Sequence, residues 1–261
     1  MLSRDLAAAK EAWRTRDAEA SRKAHDAKPA EQHQQERGRY IKSMVYGGLD
    51  GIVTTFAVVA GVAGAALEPG VLLILGFANL IADGLSMAIG DYLSTKAEKE
   101  YGKAERAREA WEVDHYPEGE KKELVELYME KGLTQEESRQ VVDIFARHRD
   151  AWIDVMMVEE LGILESDESP LANAVATFLS FGIFGFIPLV AHVCGLFFDG
   201  LEPYAFTTAS ILTGATLFAL GALKVFVTGR NWFRSGLEML LVGGGAALAA
   251  YLVGYFLSGL A

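Results

Sequence analysis

Apolar and charged positions are sharply segregated along this chain. Five tracts, at approximately 43–67, 70–92, 171–197, 204–227 and 235–258, are apolar with only isolated charges. Each is long enough to span hydrocarbon about 30 Å thick, which takes roughly 20 residues of helix. Charges inside the first four are few: Asp50 in the first, Asp83 and Asp91 in the second, His192 in the third, and Lys224 toward the end of the fourth. The pattern predicts an all-α protein, an integral membrane bundle of five transmembrane helices. The third tract is separated from the second by a polar insert, and four segments follow: 1–40 charged, 41–93 holding the first two spans, 94–168 the insert, and 169–261 the last three spans.

The insert also reads as helical. From Asp91 to about Val113 the second span continues into a charged helix, which Pro117 stops. A shorter helix follows with Leu124, Leu127 and Tyr128 as its apolar stripe, and Gly132 ends it. Thr134 with Glu137 forms a capping box opening a third helix. Its stripe is predicted to include Val141, Ile144, Phe145 and Trp152, and Gly162 closes it. Residues 1–28 read as one further amphipathic or solvated helix ending near Pro29.

Charge orients the bundle. Arg37, Arg39 and Lys42 precede the first span, eleven basic residues lie in the insert, and Lys224, Arg230 and Arg234 flank the link between the fourth and fifth spans. The links around Glu68–Pro69 and Asp199–Pro203 contain no Lys or Arg. By the positive-inside rule the N-terminus and the insert are cytoplasmic and the C-terminus is outside or lumenal. The N-terminus is charged from Arg4 onward without an apolar core, so no cleaved signal peptide is expected.

Residues 92–170 hold twenty-one Asp/Glu against eleven Lys/Arg, which accounts for nearly all of the formal net charge of −11. Such acidity favours cationic partners over nucleic acid. Cys194 is the sole cysteine, so an intrachain disulfide and a thiolate zinc site are both excluded.

Within that acidity the spacing is specific. Glu109 and Glu112 stand three apart, as do Glu120 and Glu123, and Met156–Met157 immediately precede Glu160 by one turn. Positions three or four apart share a helix face, so each group can offer several donor atoms to one ion. Two adjacent methionines, expected to be exposed on a polar helix, have little packing reason to coexist. Thioether with carboxylate suits a borderline-soft divalent ion better than Mg²⁺ or Ca²⁺. Most of the other glutamates, such as Glu98, Glu126, Glu130 and Glu136, read as solvated surface.

Carboxylates inside spans are costly unless they face water, a partner or an ion. Asp50 is surrounded by Gly47, Gly48, Gly51 and Thr54, expected to open space for an ion. Asp83, Met87 and Asp91 recur every four residues, one face of the second span, with Asn79 a further step along it. These residues read as a cation path. Gly47-x-x-x-Gly51 and the Gly243–Gly245 run permit close helix contact, and a homodimer with the path at its seam would enclose it. Glu112-x-x-His115 is one half of a di-iron signature, without a second Glu-x-x-His in the insert. Phosphate-binding and nucleophile motifs are lacking in the sequence.

The stretches Gly48-Leu49-Asp50-Gly51-Ile52-Val53-Thr54-Thr55-Phe56 and Ala82-Asp83-Gly84-Leu85-Ser86-Met87-Ala88-Ile89-Gly90-Asp91-Tyr92-Leu93-Ser94 resemble the vacuolar iron transporter family. The resemblance covers about residues 40–258. It implies a dimeric secondary transporter, not an enzyme, exchanging Fe²⁺ (also Mn²⁺, with Co²⁺ and Zn²⁺ as further candidates) for protons and moving metal out of the cytosol. No prosthetic group is implied, the metal being substrate. By resemblance Asp50 and Met87 line the path at the dimer interface. Glu109, Glu112, Glu120, Glu123, Met156, Met157 and Glu160 form the metal-gathering domain. The charged N-terminus lies outside the matched motifs, and Asp91 stands where many relatives have Glu. The membrane is of vacuolar type in a eukaryote and the plasma membrane in a bacterium. Rival readings are a membrane-anchored di-iron ferroxidase and a tethered metal-sensing or storage protein.

Overall fold

The structure, a computed structural model, describes residues 6–26, 41–164, 168–198, 200–223 and 231–260. Among them every regular element is helical: α1 (Leu6–Thr15), α2 (Ala18–Asp26), α3 (Ile41–Gly64), α4 (Pro69–His115), α5 (Pro117–Glu130), α6 (Gln135–Phe145), α7 (Arg149–Glu159), α8 (Pro170–Gly195), α9 (Ala205–Leu223) and α10 (Trp232–Leu257). Short 3₁₀ turns occupy Glu202–Tyr204 and Ser258–Leu260. The chain divides into two compact units, residues 1–87 with 175–261, and residues 88–174.

Among the described residues, five helices are long and apolar enough to cross a membrane: α3, α4, α8, α9 with its preceding turn, and α10. They match the five expected tracts. The expected charge Lys224 lies outside the described residues, as do Arg37, Arg39, Asp199 and Arg230. Val59 and Val62 of α3, Leu72, Leu73 and Leu80 of α4, Phe181 and Leu189 of α8, and Ala205 and Ala209 of α9 form one buried cluster. The opposite faces remain apolar and exposed, with Ile74, Ile81 and Leu85 on α4 and Leu241, Val242 and Phe256 on α10. Apolar residues on both faces of a helix are what hydrocarbon surroundings permit.

Glycine sets how closely α3 and α8 approach. A Cβ on Gly47 would lie 2.5 Å from the Thr177 carbonyl oxygen, and one on Gly51 would collide with the Phe181 carbonyl. Gly48 faces the Phe184 ring at 2.7 Å on the same criterion. These glycines, expected to leave room for an ion beside Asp50, are instead filled by α8. The close contact foreseen for Gly47-x-x-x-Gly51 therefore forms within one chain. Ser180 and Thr177 hydroxyls reinforce it, donating to the Met44 and Ser43 carbonyls at 2.5 and 3.5 Å.

The N-terminal segment is two helices where one was expected. Arg16 has φ 57°, and the Asp17 carboxylate accepts from the Glu19 and Ala20 amides at 2.9 and 3.0 Å. An Asp that satisfies the free amides of a helix start acts as an N-cap, so α2 begins anew. Pro29 lies outside the described residues.

The second unit contains the end of α4, then α5, α6, α7 and the start of α8. Pro117 opens α5 at its first position, and Gly132 (φ 100°) follows its end. Thr134 and Glu137 make the expected reciprocal capping box. The expected third helix is broken. α6 ends at Phe145 and α7 restarts at Arg149. Arg149 donates to both Asp114 oxygens, at 2.6 and 2.7 Å, and to the Ala110 carbonyl at 3.3 Å. That tie to α4 holds the restart. Within α6 itself Val142 is buried and Ile144 is exposed, so Ile144 does not belong to the stripe. The core consists of Val113, Leu124, Val142, Trp152, Ile153, Met156 and Met157, with Leu127, Tyr128 and Phe145 packed against it.

Candidate metal site

Three of the predicted carboxylates converge. Glu109 on α4, Glu120 on α5 and Glu160 just after α7 each offer an oxygen, and these oxygens all lie within 4.8 Å of one another. Pro117 makes this possible. It ends α4 and opens α5, so the chain reverses between Glu109 and Glu120. Glu160 is delivered by the end of α7, where its amide still donates to the Met156 carbonyl at 3.0 Å. Glu109 is 1% exposed and Glu120 5% exposed, whereas Glu160 is open to water. The cluster is therefore buried on one side and accessible on the other.

The charge balance of this cluster is incomplete. Glu109 Oε2 and Glu120 Oε2 are buried without a hydrogen-bond partner among the described residues. An unpartnered buried carboxylate costs several kcal/mol by desolvation alone, and folds rarely leave two side by side. Burial, then the Glu160 charge, pushes Glu109 up to about 7, against a partial opposing effect of Arg108. Burial, then the charges of Glu109 and Glu123, pushes Glu120 up to about 7. Glu160 is raised as well, by partial burial and by Glu123. Three carboxylates so placed resist sharing negative charge, and a multivalent ion at their centre would relieve both burial and repulsion.

Glu112 and Glu123 lie at the edge of the triad. Both act electrostatically on Glu109 and Glu120, but neither belongs to the group whose oxygens lie mutually within reach. Met156 and Met157 contradict the expectation of exposure. They are 0% and 1% exposed and belong to the hydrophobic core of the unit, so their adjacency has a packing reason. His115 is not with the carboxylates. Its Nδ1 lies 2.8 Å from the Trp111 carbonyl and its ring stacks on the Trp111 ring at 4.5 Å.

Sequence reasoning passed over Arg108. Its guanidinium donates to Glu105 at 2.9 Å and to Glu109 Oε1 at 3.1 Å. The signal was present, since Arg108 stands three and four residues from Glu105 and Glu112 on one helix. Partial desolvation works against its charge, but Glu105, Glu112, Glu109 and Glu160 outweigh that and hold its proton more firmly than usual.

Of the residues expected to form a path, Asp50, Asp83, Met87 and Asp91 are all half-buried. Asp50 and Asp83 lie close enough for their charges to interact. Asn79 donates to the Thr54 and Thr55 hydroxyls at 3.4 Å each, a polar contact between α3 and α4. Met87 packs against the apolar cluster of the first unit.

Fold and site together define a multi-pass helical membrane protein carrying a buried carboxylate cluster suited to a cation. The sequence matches the VIT family model over residues 41–255, and the chain belongs to this family. It is 39% identical to the vacuolar iron transporter of Toxoplasma gondii over 97% of this chain and 89% of that protein. It is 35% identical to that of Plasmodium falciparum, covering 98% of both. With vacuolar iron transporter 1 of Oryza sativa it shares 32% over 82% of this chain and 84% of the relative.

Proposed function

We propose that this chain is a divalent metal transporter that moves Fe²⁺, and also Mn²⁺, out of the cytosol in exchange for protons. The relatives' names support iron as substrate. The observation that carries the reading is the pair of unpartnered buried oxygens, Glu109 Oε2 and Glu120 Oε2, within one three-carboxylate cluster. Glu109, Glu120 and Glu160 hold the ion directly. Glu112 and Glu123 add negative charge around it, and Met156 and Met157, buried in the core of the same unit, are the thioether donors of the set. Co²⁺ and Zn²⁺ fit the same donors.

The unit of residues 88–174 works as a cytoplasmic loading domain. Metal gathered there passes to a membrane path made by Asp50, Asp83, Met87 and Asp91. In that path, Asp50 and Asp83 together neutralise a divalent ion. Protons arriving from the opposite side displace it, since a protonated carboxylate no longer holds a cation. Two copies of the chain enclose the path, with the N-terminus in the cytosol and the C-terminus outside or lumenal. The vacuolar names of the relatives favour a vacuolar-type membrane.

The test is reconstitution into sealed liposomes carrying a pH gradient, with ferrous and manganous flux and internal pH followed together. Metal entry coupled to proton movement supports the reading. Liposomes that stay impermeable to both ions overturn it.

A further inference from the structure

Arg108 brings a permanent positive charge into the carboxylate cluster. Its guanidinium bridges Glu105 and Glu109 Oε1, at 2.9 and 3.1 Å, and Glu112 and Glu160 also act on its charge. One of its partners, Glu109, is a member of the triad; the other, Glu105, is not. The side chain is 49% exposed, so it is free to swing toward Glu105 and water without crossing packed core. A guanidinium has donors only and cannot ligate a metal.

We propose that Arg108 is the resident counter-ion of this site, occupying part of its charge when metal is absent and withdrawing toward Glu105 when a divalent cation enters. This rests on the reading of Glu109, Glu120 and Glu160 as a metal site. The consequence is an affinity held below what the carboxylates alone would give. Each ion bound must displace one Arg108–Glu109 contact, and each ion released is replaced by it. A loading site needs that property, because an ion held too tightly is not passed on. Partly exposed ion pairs are modest in strength, so the weakening amounts to roughly twofold to fivefold in affinity.

The full chain in detergent micelles is titrated with Mn²⁺ and with Co²⁺ at neutral pH by calorimetry. Four forms are compared: wild type, Arg108→Gln, Arg108→Lys and Lys103→Gln. Arg108→Gln should bind roughly twofold to fivefold more tightly. Arg108→Lys, which keeps the charge, should retain most of the weakening. Lys103→Gln, which removes an exposed charge elsewhere on α4, should match wild type. Equal or weaker binding by Arg108→Gln overturns the proposal, and so does tightening by Lys103→Gln to the same degree.

A second measurement needs no variant. Phenylglyoxal labelling of Arg108, read by peptide mass, should increase when Mn²⁺ is bound; unchanged or reduced labelling overturns the proposal. Wild type that binds neither Mn²⁺ nor Co²⁺ removes the metal reading itself. Wild-type binding with an indifferent Arg108→Gln removes the counter-ion alone.

Discussion

Glu109 and Glu120 stand on either side of the Pro117 break and direct carboxylate oxygens into one cluster, each keeping one oxygen buried and unpartnered. Neither helix alone makes this arrangement. It exists because a proline ends α4 and opens α5 at once, and because Leu124 and Val113 pack in the same core. The metal-free cluster is thus a repulsive defect within a packed unit, held in place by apolar burial around it.

Removing one of these charges should separate binding from folding. Glu109→Gln or Glu120→Gln deletes a ligand and also a buried repulsion. Mn²⁺ affinity should fall by about tenfold or more, given that a charged ligand contact is worth at least 1.4 kcal/mol. The metal-free melting temperature at pH 7.5 should hold or rise. Calorimetry and thermal melts on the same preparations check both. A parallel loss of affinity and metal-free stability would mean that the glutamates are structural.

The raised pKa values fix the sign of the pH dependence. Glu109 and Glu120 ionise near 7 in the folded protein against 4.5 ordinarily. Between those values the folded state holds protons that the unfolded state has lost. Their contribution to stability is therefore complete below about 4.5 and is lost as pH rises through about 7. Metal-free protein should melt at a lower temperature at pH 7.5 than at pH 5.5. Mn²⁺ should bind more tightly at pH 7.5 and release protons on binding near pH 6. Melts at the two pH values, with and without Mn²⁺, read both trends.

The methionines distinguish a packing role from a ligand role. Met156 and Met157 are core residues, so replacement by Leu conserves volume and should cost less than about 1.5 kcal/mol, whereas Ala should cost roughly 2–5 kcal/mol. If the thioethers also reach the ion, Met156→Leu or Met157→Leu should weaken Co²⁺ binding more than Mn²⁺ binding, following ligand softness. Equal effects on both ions would confine the methionines to the core.

The five spans were legible because apolar runs of that length have few alternatives, and the capping box at Thr134–Glu137 because its signature is local. The carboxylate cluster was legible as residue types at helical spacing, with Glu109, Glu120 and Glu160 all among the chosen positions. What local patterns could not supply was tertiary. The break before Arg149 has no glycine or proline to announce it and is held by Asp114, thirty-five residues earlier. Which face of α6 is buried, Val142 rather than Ile144, is likewise set by the helices it packs against. Burial of Met156 and Met157 depends on three other helices meeting there, and the role of Gly47 and Gly51 depends on α8, more than a hundred residues away.

Those glycines yield a test of the membrane unit. A Cβ at Gly51 would meet the Phe181 carbonyl backbone, which cannot turn aside as a side chain can. Gly51→Ala should therefore push α3 from α8 and destabilise the bundle by roughly 1–3 kcal/mol, the usual cost of overpacking. The loss should show as a lower melting temperature in detergent. Gly61→Ala makes a fair control on the same helix, because its Cβ would lie 3.5 Å from the Ala250 carbonyl, an ordinary contact. If the two variants melt alike, close approach at Gly51 is not what sets the α3–α8 spacing.

Variants at Asp50 and at Glu120 should tell transport from capture. The charges of Asp50 and Asp83 interact within the span region, while the triad belongs to the other unit. Asp50→Asn should abolish proton-coupled Fe²⁺ flux in proteoliposomes and leave Mn²⁺ affinity at the triad unchanged, because none of the triad's carboxylates is altered. Glu120→Gln should show the reverse weighting, losing capture at low metal concentration and recovering flux as metal is raised. Measuring flux against metal concentration for both variants resolves the two roles. Full coupled flux through Asp50→Asn would remove that residue from the path. A flux defect in Glu120→Gln that saturating metal does not relieve would mean that the carboxylate cluster takes part in translocation itself.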